Sequence, residues 1–158
     1  MWSLTAPEYR EYYATSQDGV SWDLPDLGLL PENEFGNRNA FMEPEQLDAN
    51  GRKLVGDNGP EGFCVLDAEM QDHPAAKARF TAMYRAGFGE GVSGLCIAYS
   101  DDGICWVADE HNPVIPTWMD TSASLVWDPV TRRYSVYGRP PVRVSVVVEA
   151  NRYVSRME

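Results

Sequence analysis

Along much of this chain, apolar and polar residues change places with the two-residue period of a β-strand. Between Arg79 and Arg85, Phe80, Ala82 and Tyr84 fall on one face, and Thr81 and Met83 fall on the other. Short apolar runs at Phe63–Leu66, Gly94–Tyr99, Ser124–Trp127 and Tyr134–Tyr137 predict further strands. Tyr9–Thr15 is aromatic and extended, Ile104–Val107 leads out of a turn, and Val142–Val148 is rich in Val with Arg143 and Ser145 interleaved early on. Asp128-Pro129-Val130-Thr131 has the composition of a turn joining two of these strands. Helix signals are few. Glu69–Lys77 has room for a helical turn, but Pro74 interrupts it.

One short pattern occurs twice. Ala14-Thr15-Ser16-Gln17-Asp18-Gly19-Val20-Ser21-Trp22 aligns with Ala98-Tyr99-Ser100-Asp101-Asp102-Gly103-Ile104-Cys105-Trp106, identical at Ala, Ser, Asp, Gly and Trp. Each copy ends an extended run, supplies a Ser/Asp/Gly turn and places a Trp three residues past the glycine. Asp and Gly tolerate the positive φ that tight hairpins require. The repeated position of Trp22 and Trp106 predicts core packing between neighbouring sheets, and Trp127, within its strand, is expected in the core as well. A hairpin signature recurring along a β-rich chain points to repeated antiparallel sheets, as in a β-propeller.

The expected organisation is a single all-β domain over 1–158. Residues 9–22 form the closing hairpin of one sheet, 62–108 a second sheet and 120–150 a third. Residues 27–61, with Pro31, Gly36, Pro44, Gly51, Gly56 and Pro60, form a long connection with one short strand at Asn39–Met42. Connections of that length inside a domain are usually functional or poorly ordered.

Charge narrows the partners. Thirteen basic against 24 acidic side chains give a net charge of -11, which repels nucleic-acid backbones and anionic membrane surfaces. Neutral sugars and cations remain compatible. No stretch approaches the roughly 20 apolar residues of a membrane span, and the first residues lack the blocks of a secretory signal, so a cytoplasmic location is expected. Cys64, Cys96 and Cys105 lack metal-ligand spacing and are expected as free thiols, although Cys96 and Cys105 flank one turn closely enough to pair across it. His73 and His111 sit far apart in loop-like contexts, with solvent exposure as the default and no metal or cofactor expected. Gly87-Phe88-Gly89-Glu90-Gly91 suits a hairpin loop better than a nucleotide cradle.

Together, Ser16–Gly28, Arg79–Tyr84, Tyr99–Trp106, Asn112-Pro113-Val114-Ile115 and Trp127-Asp128-Pro129 through Arg139 give an ordered set of motifs. In that order the chain resembles the five-bladed β-propeller proteins related to glycoside hydrolases, over about Tyr9 to Val142. The resemblance implies antiparallel sheets arranged as consecutive propeller blades. A full ring needs roughly twice this length, so the match is to an incomplete propeller, about half a ring. Related sequences often carry Asp-x-x-Asn before the strand leading to Trp-Asp-Pro, whereas here Asp120-Thr121-Ser122-Ala123 keeps the Asp and has Ala for the Asn.

Because the first strand of each propeller blade lines the central channel, the resemblance makes Asp120 the candidate catalytic carboxylate, with turn capping as its alternative. Asn39 and Asp67 are candidates to project similarly, or to serve the chain surface. Arg139 is placed either to clamp a carboxylate or sugar hydroxyl or to pair with Asp128. Trp118, in a loop after Pro116, is the candidate platform for a sugar ring. Glycosidic cleavage normally needs two carboxyl groups about 5 to 10 Å apart, and in propellers these come from different blades. The functional expectation is therefore a carbohydrate-binding or carbohydrate-processing module. Its alternative is a non-catalytic scaffold forming homo-oligomers through exposed sheet edges.

Overall fold

A computed structural model describes residues 2–4, 9–57, 59–71, 73, 77–89, 92–117, 119, 123–139 and 155–157, with the backbone alone at 2–4, 71 and 155–157. Strands dominate: β1 Trp2–Leu4, β2 Arg10–Tyr12, β3 Ala40–Met42, β4 Glu61–Asp67, β5 Phe80–Gly87, β6 Ser93–Ser100, β7 Val107–Ala108, β8 Ser124–Asp128, β9 Arg133–Gly138 and β10 Ser155–Met157. The one helix among the described residues, α1, covers Ala68–Gln71. The chain is all-β, and its three sheets, ordered β1-β2-β3, β4-β5-β6-β7 and β10-β9-β8, are antiparallel throughout.

The middle sheet organises the molecule because its pleat is apolar on both faces. Ala82, Tyr84 and Ala86 of β5 and Cys96 and Ala98 of β6 face one core, together with Phe41 and Met42 of β3, Leu54, Val55 and Trp106. Met83 of β5 and Leu95 of β6 face a second core, with Met119, Ala123, Leu125 and Val136. β4 splits in the same way, Phe63 and Val65 to the first core and Cys64 and Leu66 to the second. The period of two therefore lines up across strands, and the middle sheet is covered by the first sheet on one face and the third on the other. Small residues at Ala82, Ala86, Cys96 and Ala98 leave room for aromatic side chains: Phe63 stacks on Tyr84 and meets Phe41 and Trp106 edge-on.

Contacts fix how the sheets lie. The Cys64 Sγ sits 3.4 Å from the Leu125 N–H, and one pleat further along Leu66 lines the same small cavity as Trp127. So β4 and β8 run in the same sense, with their starts at one end. On the other side β4 runs beside β1. A Cβ on Gly59, two residues before β4, would lie 2.5 Å from the Tyr9 Cβ. The start of β2 therefore belongs to that end too.

The two repeated turns fold alike. Ser16 Oγ accepts the amides of Asp18 and Gly19, and Asp18 Oδ1 accepts those of Val20 and Ser21, both at 2.8 Å. In the second copy Ser100 Oγ accepts from Asp102 and Gly103, and Asp102 Oδ1 accepts from Ile104 and Cys105, again at 2.8 Å. Both glycines are left-handed, at φ 74° and 76°, where a Cβ is strained. The tryptophans differ. Trp106 is 4% exposed, but Trp22 is 46% exposed, so the expected core role holds for Trp106 and fails for Trp22. Trp106 meets the first sheet through Phe41, and Trp22 has no place in either core. Trp127 is buried as expected.

The 27–61 connection is better ordered than its composition suggests. Ala40–Met42 pairs with β2, and Leu54 and Val55 are fully buried. Tyr84 donates its hydroxyl to the Leu54 carbonyl at 2.5 Å, and buried Asp48 accepts from the Asn50 and Arg52 amides within the loop and from Ala108 of β7. β5 and β6 form a hairpin, at whose end Phe88 donates to the Val92 carbonyl and Val92 to the Gly89 carbonyl. All three cysteines are free thiols. The Val142–Val148 run lies outside the described residues.

Candidate functional site

The shared sense of β4 and β8 gives the molecule two chemically distinct ends. At one, where β4 and β8 begin, two ion pairs gather. Glu61, the first residue of β4, pairs with Arg85, its cross-strand neighbour on β5. Their side chains are 12% and 17% exposed. Arg10, at the start of β2, pairs with Glu43, just past β3, at 2.8 Å. Leu95 lies across from Arg85 on β6 and belongs to the core that holds Met119 and Ala123. Met119 and Ala123 thus pack on the Glu61–Arg85 side of the middle sheet. Arg139 follows β9, whose Tyr137 pairs with Ser124 at the start of β8, and so falls at the same end.

At the opposite end lie the 100–106 turn and Asp67. At about 3.3 Å per residue, β4 separates Glu61 from Asp67 by roughly 20 Å. Asp67 is engaged structurally: Arg79 bonds it at 3.0 Å, and it accepts the Glu69 amide at the start of α1. The Arg79 bond first, and that amide in support, hold its carboxyl below the usual range.

Of the residues expected to form a site, Asp120 and Trp118 lie outside the described residues. Arg139 and Asp67 are placed at different ends. Asn39 does not serve the chain surface. It is 3% exposed, with its amide donated to the Tyr13 carbonyl at 2.5 Å, which ties β3 to the run after β2. His73 is likewise corrected from exposed to buried: its ring packs edge-on against Trp127 at 4.1 Å and beside Tyr134 at 5.0 Å. Third-sheet aromatics distant in sequence create that pocket. His111 is exposed as expected.

Sequence reasoning missed two charged groups. Glu61 and Arg85 carried a faint signal, since each is a single charge at the border of an apolar strand. The second is centred on Asp109, whose side chain is 7% exposed. It accepts from Lys77 Nζ at 2.8 Å, the Tyr99 hydroxyl at 3.0 Å and the His111 amide at 3.0 Å, and meets His111 Nδ1 at 3.1 Å. Burial opposes its ionisation, but these donors outweigh burial and hold the carboxyl far below the usual range. The same contact raises Lys77, and burial together with Asp109 raises Tyr99. Among the described residues, no group of three or more His, Cys, Asp and Glu side chains is arranged to hold a metal ion. Nor is any helix there long and apolar enough to cross a membrane.

Among the described residues, fold and site define a protein of three antiparallel sheets, with one ion-paired cluster where β4 and β8 begin and the Asp109 cluster away from it. Neither protein-family models, nor curated proteins, nor solved structures contain a match to this chain.

Proposed function

We propose that this chain is a carbohydrate-binding module of propeller-like build, whose sheets stand as successive blades and whose ligand meets the end where β4 and β8 begin. The observation that carries this reading is the gathering of Glu61–Arg85, Arg10–Glu43 and Arg139 at that one end, on the side of the middle sheet where Met119 and Ala123 pack. Paired, partly shielded carboxylates and guanidinium groups offer fixed acceptors and donors to sugar hydroxyls, and their opposed signs leave a neutral ligand unrepelled. A net charge of -11 favours that neutral class over anions. In the enzymatic form of this reading Asp120 is the central carboxylate and Trp118 the ring platform. The test is a panel of aryl glycosides and free sugars. Binding or hydrolysis that falls at least tenfold in both Asp120→Asn and Glu61→Gln supports the reading. A folded protein that neither binds nor cleaves any member of the panel removes it.

One observation favours the scaffold reading. On the outward face of the third sheet, Val126 and Tyr137 remain 42% and 38% exposed, a surface suited to another sheet. A homogeneous oligomer in solution, dissociated by Val126→Lys, would support it, and a monomer at high concentration would exclude it.

A further inference from the structure

Tyr99 stands between two clefts of opposite character at the end of the sheets away from the proposed carbohydrate end. On one side, a cleft of about 310 Å³ opens between the middle and third sheets, walled by Met83, Ile97, Val114, Leu125 and Val136. On the other, a cleft of about 400 Å³ along β6 and β7 is lined by Arg52, Lys77, Asp101, Asp109 and Glu110. Tyr99 lines both. Its hydroxyl is fixed on Asp109 at 3.0 Å, and the Lys77 ammonium lies 4.8 Å from its ring centroid. The wall between the clefts is therefore held by the Asp109 cluster rather than by core packing alone.

We infer that these clefts form one amphipathic site at Tyr99, for a small molecule with an aliphatic or aromatic end and a neutral, hydroxyl-bearing end. The apolar half falls in the size range of small-ligand pockets, and its lining is almost entirely aliphatic and aromatic. The polar half selects the head by charge. Cations at Arg52 and Lys77 alternate with anions at Asp101, Asp109 and Glu110, so a head of either sign meets a like charge, whereas hydroxyls find donors and acceptors together. Lys77 and Asp109 already neutralise each other at 2.8 Å, and Arg52 lies 3.9 Å from Glu110 across the mouth. This site does not rest on the carbohydrate reading of the other end.

The probe is n-octyl β-D-glucoside below its micellar concentration, titrated into the full chain and followed by amide chemical shifts. The expected result is saturable binding centred on Tyr99, with glucose alone and hexan-1-ol alone at least tenfold weaker. Val114→Trp, at the exposed rim of the apolar half, is expected to weaken binding at least tenfold. Lys77→Ala, at a largely exposed side chain, is expected to weaken octyl glucoside but leave hexan-1-ol unchanged. Absence of saturable binding overturns the inference, as does binding unchanged in both variants. Equal binding of a zwitterionic octyl sulfobetaine overturns it too, because the head is then not being read.

Discussion

The turn at 16–22 and the turn at 100–106 have the same hydrogen bonds and opposite fates. Each closes on a serine hydroxyl and an aspartate oxygen that accept two amides apiece. These bonds span at most three residues, so five shared residues suffice to specify them. The tryptophan that follows answers to something else. Trp106 enters a core already prepared by Phe41 and Phe63, while Trp22 stays 46% exposed. A local motif thus sets turn geometry, and the neighbouring sheet decides whether the indole is buried.

The largest effect that separates the two copies is expected from their tryptophans. Trp106→Ala should cost about 3–5 kcal/mol, the usual range for an aromatic lost from a packed core. Trp22→Ala should stay within about 0.5 kcal/mol, as for a surface substitution. Urea denaturation of the two variants reads this directly, and equal losses would break the comparison.

A smaller effect is expected at Asp109, which ties the second copy to the β4–β5 connection through Lys77. Asp109→Asn should cost about 2 kcal/mol, because bonds to a shielded charge are lost while Lys77 and His111 remain largely in water. The mutant should also lose the unusually low carboxyl titration, visible by carbonyl NMR.

A third effect lies in the pH dependence of stability. Amides of Ser21 and Val20 lower Asp18 to about 2. At Asp102 burial opposes ionisation, but the Cys105 and Ile104 amides prevail and lower it as well. Groups with depressed folded pKa values stabilise fully above the unfolded carboxylate value of about 3.9, and that contribution is lost as pH falls through the folded value. Thermal stability should therefore decline between about pH 4 and pH 2. Asp18→Asn and Asp102→Asn should each flatten part of that decline. A melting temperature unchanged down to pH 2 would contradict this assignment.

How far the sequence was legible follows the same division between local and distant causes. Alternation at Phe80–Arg85 identified β5 and its two faces correctly, because successive side chains of a strand point to opposite faces. Asp128 announced its turn and indeed accepts the Val130 and Thr131 amides. The burial of Leu54 and Val55 inside a glycine-rich connection was hidden, since two adjacent apolar residues have no period and owe their place to Tyr84 and the Asp48 clamp. His73 was misjudged because its aromatic neighbours come from the third sheet. Glu61 and Arg85 gained meaning only once β4 and β8 were seen to run together, and the registers of different sheets leave no local mark.

The contact between β4 and β8 underlies the placement of those charges, and one cross-link reads it most directly. Cys64 lies against Leu125, so a Leu125→Cys variant under mild oxidation should form a disulfide with Cys64, identified by peptide mass mapping. Val126→Cys, on the outward face, should not. A Leu125→Cys variant that stays unbridged to Cys64, or a Val126→Cys variant that bridges to it, would contradict the side-by-side arrangement of β4 and β8, and with it the gathering of Glu61, Arg85 and Arg139 at one end.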